Sequence, residues 1–242
     1  TDDFDLLRGT YRDGYGRPLD PETHGTRRPE SDEYEVLQPA THTRRIVFLK
    51  PDYWVIADTM VAADGREHLY DSLFHLDAEE ASVDAASMAV WTHNDGSNVA
   101  IRPLAETGLD VSIVKGQEEP CQAWGNDPWR PVPTAIYSFS GRGTRWAAYA
   151  VEPMARGDGP GVCAVERIET STGPDALGIE VRHESGARDV ILLNQQSSGT
   201  ARFREWELDG EIGVVRLNGD LGVESVCLAG AERLSRNGEV VG

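Results

Sequence analysis

The sequence predicts an all-β fold, a large antiparallel β-sandwich of a dozen or more strands. Runs of alternating or β-branched residues, each of strand length, recur at about 8 to 12-residue spacing. Between many of them stand pairs suited to positive φ: Asp64-Gly65, Asp95-Gly96, Asp209-Gly210, Asn218-Gly219 and Asn237-Gly238. No amphipathic helical periodicity competes with this pattern.

Taken in order, the chain opens on a stretch unlike the rest. Gly, Pro and charge dominate from Tyr11 to Glu33, so residues 1–40 are expected to form an irregular lead-in arm. Strand-like runs follow at Arg44–Lys50, Tyr53–Val61, Glu67–Leu76, Met88–Thr92 and Val99–Leu104. A second irregular segment, Gly116–Pro133, holds four prolines and two tryptophans and has the length at which loops tend to carry function. Runs resume at Thr134–Phe139, Trp146–Val151, Val162–Ile168, Gly178–His183, Val190–Asn194, Ala201–Leu208, Gly213–Leu217 and Val223–Leu228. Alternation within them places Tyr53, Val55, Phe74, Leu76, Ile191 and Leu193 in the core. No repeat or shift in composition divides the chain, which predicts a single β-sandwich domain over residues 1–242.

Composition narrows the function classes. The chain has 242 residues, with 23 basic against 41 acidic residues and a net charge of −18. No basic stripe exists to track a nucleic-acid backbone, so no nucleic-acid partner is expected. No apolar run approaches the roughly 18 residues of a transmembrane helix, so no membrane span is expected. Cys121, Cys163 and Cys227 are odd in number and far apart, which argues against a disulfide framework and for buried small hydrophobes. The start, Thr1-Asp2-Asp3, carries no export leader. A periplasmic or secreted location is expected if a longer parent protein bears an upstream signal peptide.

The six histidines lack metal-ligand spacing, and no metal or cofactor is expected. His68 and His75, seven apart on one strand, point to opposite faces. Asp71 and His75 share a face but stand roughly 13 Å apart, too far for a dyad. No Gly-x-Ser-x-Gly elbow, activated thiol or phosphate loop occurs. Two features are more suggestive of binding. His42 and Arg44 form a His-x-Arg pair at strand spacing able to grip a carboxylate. Trp124 and Trp129, with Arg130 beside them, lie in the Pro-rich segment, where sugar rings could stack while polar groups hold their hydroxyls. The alternative is that the two indoles pin the segment to the sandwich.

The segment Thr41-His42-Thr43-Arg44-Arg45-Ile46-Val47-Phe48-Leu49-Lys50-Pro51-Asp52-Tyr53-Trp54-Val55-Ile56-Ala57-Asp58 resembles the signature of the C-terminal β-sandwich region of bacterial heparinase II/III-like polysaccharide lyases. The resemblance continues through His68–Leu76, Lys115–Pro120 with Trp124, and Pro133-Thr134-Ala135, spanning residues 1 to 155. It implies β-elimination: a base removes the proton α to a uronate carboxyl group, the glycosidic bond breaks and an unsaturated sugar remains. In such enzymes an N-terminal α/α-toroid supplies an Asn and a Tyr, and the start of the β region supplies a His-x-His segment and, in some members, metal ligands. This sequence has no His-x-His, and Asp2–Tyr15 resembles the stretch that follows those motifs, so no catalytic residue is carried over. The expected partners are therefore an acidic polysaccharide or its oligosaccharides, and a toroid domain lying outside this chain. The charge of −18 disfavours heparin and favours a less densely charged polymer, such as alginate or a mixed exopolysaccharide. An autonomous carbohydrate-binding or structural module is the alternative.

Overall fold

The computed structural model describes residues 3–12, 15–18, 34–38, 40–119, 121–126, 128–196 and 198–242. These contain 21 strands and no helix, and every strand pairing is antiparallel. A central seven-stranded sheet runs in the order β1 (Phe4–Tyr11), β4 (Ala40–Leu49), β5 (Tyr53–Ala62), β14 (Thr144–Met154), β9 (Asn98–Pro103), β8 (Ala89–His93) and β7 (Glu80–Asp84). A small sheet runs β10 (Asp110–Lys115), β13 (Pro133–Gly141), β6 (His68–His75). A terminal sheet runs β15 (Val162–Ile168), β16 (Ala176–His183), β17 (Arg188–Asn194), β19 (Trp206–Leu217), β20 (Val223–Arg236), β21 (Glu239–Val240), with β18 (Thr200–Phe203) also on β19. Two separate hairpins pair β2 (Tyr15–Pro18) with β3 (Tyr34–Gln38), and β11 (Trp124–Asn126) with β12 (Trp129–Pro131).

The middle of the central sheet is covered on both faces, so the sandwich has three layers. Tyr53, Val55 and Ala57 of β5, with Trp146, Ala148 and Ala150 of β14, pack on Leu177, Ile179, Ile191 and Val214 of the terminal sheet. The intervening residues Met60, Ala147 and Tyr149 pack on Ala135, Tyr137 and Phe139 of the small sheet. This explains why β5 and β14 read as nearly continuous apolar runs, because a strand buried on both faces has no solvent side to mark with polar residues. Each fully buried large side chain contributes about 1.5 to 3 kcal/mol, so the two interfaces dominate stability. The far face of the terminal sheet closes over a third cluster around Phe203, Trp206, Leu192 and Leu234.

Polar contacts fix how the layers meet. Asp189 of β17, buried, accepts hydrogen bonds from the Tyr53 hydroxyl at 2.6 Å and lies 2.8 Å from His183 Nε2. Arg216 approaches the same carboxylate at 3.4 Å and reaches Asp52 at 2.7 Å. This clasp ties the start of β5 to three strands of the terminal sheet. Burial, reinforced by Asp189, raises the Tyr53 hydroxyl well above its ordinary range, so it stays a donor. Arg45 of β4 is the second tie, reaching Glu211 at 3.4 Å across the layers while lying over the Trp146 ring.

Several expectations are corrected. Phe4–Tyr11, read as part of the irregular arm, is the edge strand β1, paired with β4 along its whole length. Its sequence alternates poorly around Gly9, and the open edge of β4 decides its conformation. Residues 15–18 and 34–38 form a hairpin, while residues 19–33 of the expected arm lie outside the described residues. Asp209-Gly210 is not a hairpin turn: it lies within β19, opposite a bulge at Glu232 of β20. At Gly210 φ is +131°, and an added Cβ would fall 2.2 Å from the Ala231 Cα, so the glycine is demanded by close approach of β20. Cys121 and Cys163 are exposed and Cys227 is half-buried, against the expectation of burial. Of the expected core, Tyr53, Val55, Leu76, Ile191 and Leu193 are buried, whereas Phe74 is partly buried with its ring edge-on to Tyr137 and Tyr149.

Tyr53→Phe removes one donor from Asp189 and keeps the apolar packing. The expected cost is about 1 to 3 kcal/mol, read as a lower urea midpoint with an unchanged slope. An unchanged midpoint would show that the clasp does not hold the layers.

Candidate functional site

The hairpin of β4 and β5 sets the first cluster. Its register pairs Arg44 with Asp58 and His42 with Met60. Alternation then turns His42, Arg44 and Asp58 to the face covered by the small sheet, opposite Arg45. Asp58 is 1% exposed. Arg44 grips it in a two-pronged bond, Nε to Oδ1 and Nη2 to Oδ2, both at 2.8 Å, and His42 Nε2 lies 2.9 Å from Oδ1. Burial pushes the Asp58 carboxyl up, but the Arg44 and His42 hydrogen bonds and charges more than offset it and hold the group below its ordinary value. The His-x-Arg pair does grip a carboxylate, and that carboxylate is the chain's own. Around the cluster opens a cleft of about 280 Å³, walled on its other side by Leu69, Tyr70, Ser72 and Leu73 of β6.

The second cluster forms where the sequence showed an irregular segment. Lys115 to Pro133 contains the hairpin β11–β12, in which Trp124 faces Pro131 and Asn126 faces Trp129. The two indoles stack with centroids 5.3 Å apart and planes within 5°. Trp124 is the inner ring: its Nε1 donates to the Gln117 carbonyl at 3.0 Å, and Gly116 and Pro131 crowd behind it. Trp129 is the outer ring and is 62% exposed. Arg130 falls on the hairpin's other face by alternation, where it pairs with Asp77 and reaches the Ala78 carbonyl. A cleft of about 540 Å³ opens there, lined by His75, Asp77, Trp124, Asn126 and Arg130. The structure thus brings Trp124 and Trp129 together and sets Arg130 behind them.

The two clefts are neighbours along β6. Leu73 bounds one and His75 the other, roughly 7 Å apart at strand spacing. The strand lies at the edge of the small sheet, paired only with β13, and exposes Leu69 and Leu73 beside the first cleft. Asp71 bonds Ser138 at 2.6 Å and His75 bonds Thr134 at 3.0 Å, so no Asp71–His75 dyad forms. Among the described residues no group of three or more His, Cys, Asp or Glu side chains is placed to hold a metal ion, and no helix is long and apolar enough to cross a membrane.

Comparison with known proteins places this arrangement. The family model described as heparinase II/III-like, C-terminal, matches residues 17–147, more than half of the chain. The chain belongs to the heparinase II/III-like C-terminal family. Among solved structures it is similar to the heparan sulfate lyase HepC of Pedobacter heparinus, with a TM-score of 0.53 at 15% identity over 81% of this chain and 26% of that one. It is also similar to a heparinase III with methylated lysines, with a TM-score of 0.50 at 13% identity over 64% of this chain and 23% of that one. The chain therefore spans about a quarter of the length of these proteins, and at such identity the likeness is one of fold. No curated protein matches the chain. The family segment carries both clefts, whereas every strand of the terminal sheet lies beyond it.

Asp58 is the residue that sequence reasoning missed in the first cleft, and Asp77 in the second. Counting back across the Pro51-Asp52 turn pairs Arg44 with Asp58, so the first was within reach once the hairpin was assumed. Asp58→Asn is expected to cost about 2 kcal/mol by weakening two charge-assisted hydrogen bonds. Because the folded carboxyl sits below its ordinary 3.8, its contribution is full above that value and is lost as pH falls through the lower folded value. Acid titration of stability should accordingly be shallower in Asp58→Asn than in the parent, and identical acid slopes would contradict the assignment.

Proposed function

We propose that this chain is the C-terminal β-sandwich region of a heparinase II/III-like polysaccharide lyase, and that it forms one wall of the substrate groove. The wall runs along β6, from the His42–Arg44–Asp58 cleft to the Trp124–Trp129 hairpin. Trp124, Trp129, Arg130, His42 and Arg44 are its proposed saccharide-contacting residues. The observation that carries the reading is that the family segment coincides with the part of the fold that builds both clefts. The polymer is a uronate-containing polysaccharide, and β-elimination is performed with catalytic groups of an α/α-toroid outside these 242 residues. The two relatives, about four times longer than the part this chain covers, support that division of labour.

A second reading, an autonomous carbohydrate-binding module, is favoured by one feature: an indole as exposed as Trp129 stacked on a second indole is a ready sugar platform. The readings differ in what the isolated chain does. Incubated with alginate, heparan sulfate, hyaluronan and bacterial exopolysaccharides, it is expected to give no ultraviolet signal of unsaturated uronate while binding oligosaccharides weakly. Product formation on any polymer would place acid and base within the chain and overturn the wall assignment. Under the second reading Trp124→Ala and Trp129→Ala each abolish binding outright; under the first, binding through the other cleft survives in part, as titration calorimetry would show.

A further inference from the structure

The charges around the indole pair decide what kind of sugar it takes. Two cations lie near the hairpin, and acidic groups engage both. Arg130 is paired with Asp77, and Lys115 donates to the Glu79 carbonyl and to Glu80 at 2.8 Å. Glu118 and Glu119 stand exposed in the turn whose Gln117 carbonyl holds the Trp124 indole. Among the described residues, the formal charges carried by the hairpin and the segments that meet it are two positive, on Lys115 and Arg130, and five negative, on Asp77, Glu79, Glu80, Glu118 and Glu119. A carboxylate or sulfate brought onto the outer face of Trp129 meets repulsion from this field, with no unengaged cation among these groups to offset it. The C–H face of an uncharged pyranose meets only the aromatic surface.

We infer that the Trp129 platform is a subsite for a neutral sugar unit, a hexose or N-acetylhexosamine, and that it selects against uronate and sulfated rings. The inference rests on the reading that the hairpin contacts saccharide, and it goes further in naming which ring of the polymer sits there. It favours a mixed polymer that alternates charged and neutral units over alginate, in which every unit is a uronate.

The test uses the full chain and three tetrasaccharides: β-1,4-glucose, β-1,4-N-acetylglucosamine and β-1,4-mannuronate. Binding is followed at low salt by calorimetry and by the Trp129 indole N–H resonance. At least one neutral tetramer should bind about tenfold or more tightly than the mannuronate tetramer, and the gap should narrow as salt is raised. Trp129→Ala, exposed and away from the core, should remove the neutral binding with the fold intact. The double variant Glu118→Gln, Glu119→Gln should tighten mannuronate binding several-fold and leave neutral binding unchanged, which a purely structural role for these residues would not produce. Mannuronate binding at Trp129 as tightly as the neutral tetramers would overturn the inference and leave the saccharide reading standing. Failure of all three tetramers to shift the Trp129 resonance would overturn both.

Discussion

The architecture depends on two central strands that have no solvent side. Strands β5 and β14 must bury alternate residues against two different layers, so every position along them is constrained by one interface or the other. The three-stranded sheet has only the central sheet to cover its inner face, and an isolated sheet of that size would be marginal without such a partner. Both clefts form around the rim of that small sheet. The side chains that line them are therefore placed by packing on the far side of β5 as much as by local sequence.

Within this frame the polar groups sort by layer. Toward the terminal sheet lie Tyr53, Asp189 and the buried Arg45, each engaged across the interface. Toward the small sheet lie His42, Arg44 and Asp58, engaged with one another and bordering open space. One hairpin, β4–β5, thus supplies a structural tie from one face and a polar cleft wall from the other. The alternation of a strand separates the two roles by a single residue, Arg44 from Arg45. A one-residue slip in register would exchange them.

Much of this was legible in the sequence. The strands from Ala40 to Ala62 and from Val162 to Asn194 stand close to where alternation put them, and the Asn237-Gly238 turn joins β20 to β21, with φ positive at both residues. The three-layer stacking was not legible, because a continuous apolar run marks a strand as buried on both faces without saying which sheets cover it. Nor was β1, whose conformation comes from the neighbouring edge of β4. The Asp209-Gly210 pair carried the composition of a turn but lies within a strand opposite a bulge, since the close approach of Ala231 also requires a glycine. In the candidate site the residue types were visible and their partners were not. His42 and Arg44 signalled carboxylate recognition, and their convergence on Asp58 followed only from hairpin register. The position of Arg130 behind the indoles followed only from the existence of β11 and β12 inside a proline-rich segment.

On the proposed function, a saccharide lies along β6, from the first cleft to the indole pair. Amide and indole chemical-shift mapping of the labelled chain with a hyaluronan octasaccharide, which alternates uronate and N-acetylhexosamine, tests it most directly. Perturbations are expected to concentrate in Leu69–His75, His42, Arg44 and the Trp129 indole, with the terminal sheet silent. Shifts confined to the terminal sheet, or none at saturating ligand, would contradict it.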